Sequence, residues 1–273
     1  MLRLTCCVLL VCTVADAAPS STEQRFRAEV SAVSPEAGDE YIRATAAGEA
    51  AKWDEALAHY RRAAELAPKV DHPHRRMCDV LAKLGSGDEA VAECETALSL
   101  APGSPYDKMA LANALTGTER DLPRALALAN EALPELSADP IAVGMYCAVL
   151  LDTRTLPGID AELDECIVHL NVLDPDGIES NSLGAIVAGL RGHRELARKR
   201  LDMAKQAGLP DAAYTQLAAE IDNPATQARP LSPVAAERPP SHSMRNMLAL
   251  ATGIVGMTAL ILIGVRLSRR RRS

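Results

Sequence analysis

Aromatic residues are scarce in this chain. They make up 3% of its 273 residues, with one Trp and one Phe, whereas 48% of the residues are hydrophobic and 24% are charged. This balance excludes low-complexity disorder and collagen, and it argues against a core built on large aromatic side chains.

Sequence motifs of catalysis and of nucleotide binding are also missing. The chain has no glycine-rich phosphate loop, no nucleophile elbow and no HExxH helix. Residues 71–74 (Asp-His-Pro-His) are the only cluster with residue types common in metal sites, and no further ligands stand at structural-zinc spacing from them. We therefore expect a protein that is not an enzyme and that binds neither a cofactor nor a metal.

The charge of the chain is unsuited to nucleic acid. The net charge is −7, and the middle of the chain is more acidic than this value because many arginines lie at the C-terminus. Binding to nucleic acid depends on Lys and Arg residues that neutralise phosphates. We expect no nucleic acid partner.

Residues 1–17 have the three-part pattern of a secretory signal peptide. Arg3 precedes an apolar run from Leu4 to Val14, and small residues follow up to Ala17. The run is shorter than the ~20 residues that cross a bilayer. We expect cleavage after Ala17.

Residues 246–265 are predicted to form a single transmembrane helix. They contain the charge-free run Met247–Val265, and the tail at 266–273 includes four consecutive arginines. A basic cluster beside a span is expected on the cytoplasmic side.

Residues 223–245 are rich in proline and are predicted to be a semi-rigid linker. These signals agree on a single-pass protein of the cell membrane whose middle lies outside the cytoplasm, as in a bacterial periplasm or envelope.

The middle of the chain repeats itself. Residues 51–68 (AKWDEALAHYRRAAELAP) and 85–102 (GSGDEAVAECETALSLAP) share Asp-Glu-Ala, a later Ala and Leu-Ala-Pro at the same spacing. Pro68 lies one period before Pro102, and this period equals the ~34 residues of the tetratricopeptide repeat.

These residues resemble the tetratricopeptide repeat (TPR) family, whose unit is a pair of antiparallel helices with small residues where they cross. The first two units match the family pattern best, at Ala44, Trp53, Ala56, Tyr60, Ala63 and Pro68, and at Cys78, Gly85, Ala90, Cys94, Ala97 and Pro102. Three less regular units follow. The resemblance implies an all-α fold, an α-solenoid of about five TPR helix pairs over residues 36–209, with capping helices at 18–35 and 210–222.

The cysteines beyond the predicted signal peptide form two pairs, each within one predicted repeat. The two possible pairs are Cys78 with Cys94 and Cys147 with Cys166. An oxidising compartment would permit disulfides between them. Cysteine is also an ordinary small buried residue at a helix crossing, so the sequence leaves both states open.

The TPR family usually binds peptides or proteins in a concave groove lined by the first helices of its repeats. Projection of the repeat register gives the partner-binding candidates Tyr41, Thr45, Arg75, Asp79, Tyr106, Met109 and Asn113. Their mixed polarity suits an extended peptide. A clamp for a terminal carboxylate, as in chaperone-binding members, is not predicted because Asp79 stands where an amide is expected.

The resemblance leads to the hypothesis of a non-enzymatic protein-binding scaffold displayed outside the cytoplasm on a single-pass membrane anchor. Two alternatives stay open. The chain could be a tail-anchored TPR adaptor that faces the cytoplasm and keeps its N-terminus. It could also be an exported protein whose C-terminal span is a processed sorting signal.

Overall fold

The computed structural model describes residues 21–118 and 121–222, and every regular element within them is a helix. The predicted signal peptide, linker, transmembrane helix and basic tail lie outside these residues. No helix in the described part of the chain is long and apolar enough to cross a membrane.

Twelve helices make up the described part of the chain. In chain order they are α1 (Ser21–Val33), α2 (Pro35–Glu49), α3 (Trp53–Leu66), α4 (Asp71–Lys83), α5 (Gly87–Leu100), α6 (Pro105–Gly117), α7 (Leu122–Leu136), α8 (Pro140–Asp152), α9 (Ile159–Leu173), α10 (Ile178–Leu190), α11 (Arg194–Gln206) and α12 (Asp211–Asp222).

Five helix pairs form the array. They are α2 with α3, α4 with α5, α6 with α7, α8 with α9 and α10 with α11. Each pair also packs on the next, and the first helices α4, α6, α8 and α10 contact one another in order. An arrangement in which each unit contacts its neighbours is a solenoid. The prediction of an all-helical solenoid is confirmed, and α1 and α12 flank the array.

Several first helices begin in the same way, with a capping side chain followed by proline. The hydroxyl of Ser34 accepts a hydrogen bond from the third residue of α2, and Ser104 does the same for α6. The carboxylate of Asp139 accepts two such bonds at the start of α8. Each cap satisfies a backbone donor that has no partner within the helix, and proline in the first turn has no donor to lose.

Small residues fill the crossings between paired helices. Ala44 and Ala56 are fully buried between α2 and α3, and Ala112 and Ala125 are fully buried between α6 and α7. Because alanine lets two helix backbones approach closely, the array is packed tightly with few aromatic side chains.

Cysteines replace alanine at two of these crossings, and disulfide bonds join both pairs. The α-carbons of Cys78 and Cys94 are 5.4 Å apart, and those of Cys147 and Cys166 are 5.7 Å apart. The two bonds link α4 to α5 and α8 to α9. In each of these two pairs, a disulfide therefore joins the two helices covalently where they cross.

Overpacking one crossing should destabilise the array. Ala90 is fully buried, so Ala90→Leu forces two helices apart and should cost about 1 to 3 kcal/mol of unfolding free energy. Urea unfolding with the disulfides intact measures the cost. Ala92 is exposed on the same helix, and Ala92→Leu is the matched control. Equal stability of the two variants would contradict this account of the crossing.

Candidate functional site

The candidate site is a cleft on the first helices. We define the first-helix face as the side of α2, α4, α6 and α8 that bears Thr45, Asp79, Tyr106 and Ile141. Residues of α4, α6 and α8 line the cleft together with Thr22, Glu23 and Phe26 of α1, and the cavity volume is ≈ 100 Å³. Helix α1 thus forms one wall of the cleft as well as flanking the array.

Phe26 anchors α1 to the first-helix face. It is 3% exposed, and its ring centroid lies 4.5 Å from that of His72 on α4 and 5.2 Å from that of Tyr106 on α6. The guanidinium carbon of Arg75 lies 4.2 Å from the Phe26 centroid. One side chain of α1 therefore fills an aromatic and cationic pocket between two first helices.

Acidic residues of α1 contact the same face on both sides of Phe26. Glu23 forms an ion pair with Arg76 of α4 and accepts a hydrogen bond of 3.3 Å from the Thr45 hydroxyl of α2. Toward the other end of α1, Oε2 of Glu29 lies 2.6 Å from Nε2 of His72. These contacts hold α1 across α2 and α4.

A buried group of charges lies beneath Phe26. Nε of Arg75 is 3.0 Å from Oδ1 of the fully buried Asp107, although the two groups are not aligned for a hydrogen bond. Burial and the nearby Asp71 carboxylate raise the pKa of Asp107 to about 7, against the lowering effect of Arg75. Burial also opposes the charge of Asp71, but the hydrogen bond and charge of His72 lower the pKa of Asp71 to about 2.

The structure brings together four of the seven predicted groove residues. Arg75, Asp79, Tyr106 and Met109 all line the cleft. Arg75 is buried beneath Phe26, and Asp79 is half-buried and pairs with Arg76 at 3.4 Å.

The other three predicted groove residues do not line the cleft. Tyr41 is fully buried, and its hydroxyl accepts a hydrogen bond from Arg76. Thr45 donates to the Tyr41 carbonyl oxygen and contacts Glu23 of α1. Asn113 is half-buried farther along α6.

Sequence reasoning missed the α1 wall and the α8 side of the cleft. Ile141 is 64% exposed although it lies beside Met145 in the cleft. The repeat register could have identified Ile141, because it lies about one period after Tyr106. Phe26 had a weaker signal as the one phenylalanine of the chain.

The His-containing segment at 71–74 has structural roles. His72 contacts Glu29 and Asp71, and Nδ1 of His74 lies 2.7 Å from Glu93 of α5. Among residues 21–118 and 121–222, no group of three or more His, Cys, Asp or Glu side chains is arranged to hold a metal ion.

Solved structures are similar to this chain, whereas no protein-family model and no curated protein sequence match it. A tetratricopeptide repeat protein from Parabacteroides merdae ATCC 43184 has a TM-score of 0.58 at 13% identity, over 74% of this chain and 77% of that chain. PilF of Pseudomonas aeruginosa has a TM-score of 0.49 at 16% identity, over 76% of this chain and 89% of that chain. MamA of Desulfovibrio magneticus RS-1 has a TM-score of 0.47 at 16% identity, over 64% of this chain and 96% of that chain. The P. merdae structure identifies the fold of this chain as that of TPR proteins, which confirms the predicted resemblance.

The stability of the array should depend on the protonation of Asp107. Because its pKa is raised in the fold from 3.8 to about 7, the protonated form favours folding, and the wild type loses stability as the pH rises through that range. Asp107→Asn is neutral at every pH. The unfolding free energy of Asp107→Asn should therefore rise relative to that of the wild type as the pH increases from 3.8 to about 7.

Urea unfolding at a series of pH values between 3.8 and about 7 tests this expectation. Asp54 is exposed at the start of α3, and Asp54→Asn is the control for loss of one carboxylate. A constant difference between wild type and Asp107→Asn across the series would show that folding does not raise the pKa of Asp107.

Proposed function

We propose that this chain, which has the TPR fold, is a non-enzymatic scaffold that binds a partner protein through the open part of its first-helix face. We further propose that it displays the array outside the cytoplasm on its C-terminal membrane anchor. The observation that carries the binding proposal is the exposed Ile141 at the rim of the cleft.

The cleft suits one anchoring side chain of a protein partner. Ile141, Met145 and Met109 give it an apolar lining, and Tyr106 adds a ring with a hydroxyl. Its volume of ≈ 100 Å³ is below the ~300 to 1,000 Å³ of small-molecule sites. Buried anchors in small pockets carry much of the binding energy of protein interfaces.

The residues around the cleft do not favour catalysis. The strongly perturbed carboxyl groups, Asp71 and Asp107, lie beneath Phe26 and contact Arg75 and His72. Asp107 is fully buried and Asp71 is half-buried, so both groups support packing of the first helices. A groove that presents apolar and methionine side chains is better suited to partner binding.

Both disulfides support export of the array. Structural disulfides persist in oxidising compartments such as the bacterial periplasm and are rare in the cytosol. The predicted signal peptide and the basic C-terminal tail point to the same topology. This agreement favours the anchored extracytoplasmic scaffold over a tail-anchored adaptor that faces the cytoplasm.

Site-specific photocrosslinking tests the binding proposal. A photoreactive amino acid at Ile141 should form crosslinked species in cells of the source organism, because this position lies at the rim of the binding cleft. Val168 is the matched control, since it is 66% exposed but lies on the second helix α9. A pattern at position 141 that equals the pattern at 168 would overturn the assignment of the cleft.

The intact mass and N-terminal sequence of protein purified from its own membranes test the topology. We expect a chain that begins at Ala18, retains Arg269 to Arg272, and has both cysteine pairs oxidised. A chain that begins at Met1 with reduced cysteines would support the cytoplasmic adaptor. Loss of residues 246–265 would support processing of a sorting signal.

A further inference from the structure

We propose that the part of the first-helix face beneath α1 is a second peptide-binding site, which α1 occupies as an intramolecular ligand. Its external partner is a helix with an aromatic side chain between two acidic side chains. This inference deepens the proposed function, on which it rests for the assignment of binding to the first-helix face, and it names the chemistry of a partner.

The contacts of α1 have the composition of a docked peptide. Phe26 fills a pocket formed by His72, Arg75 and Tyr106, and no residue of α2 provides a ring for it. Glu23 and Glu29 stand on either side of this anchor. A buried aromatic anchor packed against an arginine is typical of a binding hot spot.

Two basic residues of α4 match this acidic pattern. Arg76 contacts the glutamate that precedes Phe26, and His72 contacts the glutamate that follows it. The two residues lie one turn apart on α4, and the glutamates that they contact follow in the reverse order along α1, as expected for antiparallel helices. The surface beneath α1 is thus specific for the sequence pattern Glu-x-x-Phe-x-x-Glu.

The attachment of α1 to the array is short and depends on one close approach. Only Ser34 separates α1 from α2. A β-carbon added at Gly38 would lie 2.0 Å from Oγ of Ser31 and 2.9 Å from its α-carbon, so α1 packs here only against glycine. A helix as short as α1 is marginally stable alone in water, which means that docking maintains it.

The occupied site is continuous with the open cleft. Thr22 and Glu23, in the first turn of α1, form one wall of the cleft, and Ile141 and Met145 lie on another side. A partner helix that displaced α1 could therefore extend beyond the position of Thr22 to reach α8. One partner could then use both parts of the first-helix face.

A synthetic peptide of residues 21–33 is the probe, labelled with a fluorophore and measured by anisotropy against the full chain in detergent. The wild type should bind it weakly because α1 fills the site. Gly38→Ala displaces α1 by collision with Ser31, and Phe26→Ala removes the anchor. Each should bind the peptide at least about tenfold more tightly than the wild type does, since the fraction of open site rises.

Controls distinguish displacement of α1 from a general destabilisation of the fold. Gly103→Ala meets no atom within 4 Å and should bind the peptide as the wild type does. A peptide carrying Phe26→Ala should bind the opened chains about tenfold more weakly, because it lacks the anchor. Arg76→Ala introduced together with Gly38→Ala should also weaken binding of the unchanged peptide.

Three results would overturn the proposal. The first is absence of peptide binding to a Gly38→Ala or Phe26→Ala chain that keeps its helical circular dichroism. The second is equal binding of the peptide with and without its phenylalanine. The third comes from hydrogen exchange of the wild type. If the α1 amides exchange only when the whole array unfolds, α1 does not undock on its own and cannot make way for a partner. None of these results affects crosslinking at Ile141, so the two proposals can fail separately.

Discussion

Two helix backbones can approach closely only where the side chains between them are small, and the rest of this structure depends on that constraint. Buried alanines such as Ala44, Ala56 and Ala90 meet it along the array. The crossings of the second and fourth pairs also hold cysteines, which are small enough for the crossing and close enough to bond. A tightly packed seam of this kind stabilises a solenoid without a large aromatic core.

Two of the few aromatic residues, Phe26 and Tyr106, lie together on the first-helix face, where they connect α1 to α6. Tyr41 and Tyr60 instead contact each other between α2 and α3. Charged residues complete this surface and lie unusually deep: Arg75, Asp107 and Glu23 are all buried. Such groups are stabilised only by partners within reach, and α1 supplies several of those partners. Docking of α1 therefore covers part of this charged surface, with Phe26 against Arg75 and Glu23 paired with Arg76.

The open and covered parts of the first-helix face differ in chemistry. Toward α8 the lining is apolar, with Ile141 largely exposed. Toward α2 and α4 it is charged and aromatic, and α1 lies on it. A linear partner that crosses both parts would meet complementary ends in a fixed order. For the proposed linear partner, this asymmetry would favour one direction of binding.

The sequence by itself determined the repeat, because the spacing of small residues follows directly from the geometry of paired helices. The spacing of Ala56 and Ala90 indicated the length of the repeat. The positions of the cysteines indicated at which helix crossings a disulfide was possible. The sequence could not determine which groove residues stay accessible. Register predicts that Tyr41 and Arg75 belong to first helices. The cover over Arg75 comes from Phe26 of α1, a helix that lies outside the repeat pattern. Only the tertiary structure decided that Phe26 covers Arg75 and that Ile141 remains exposed, because both outcomes depend on contacts between segments far apart in the chain.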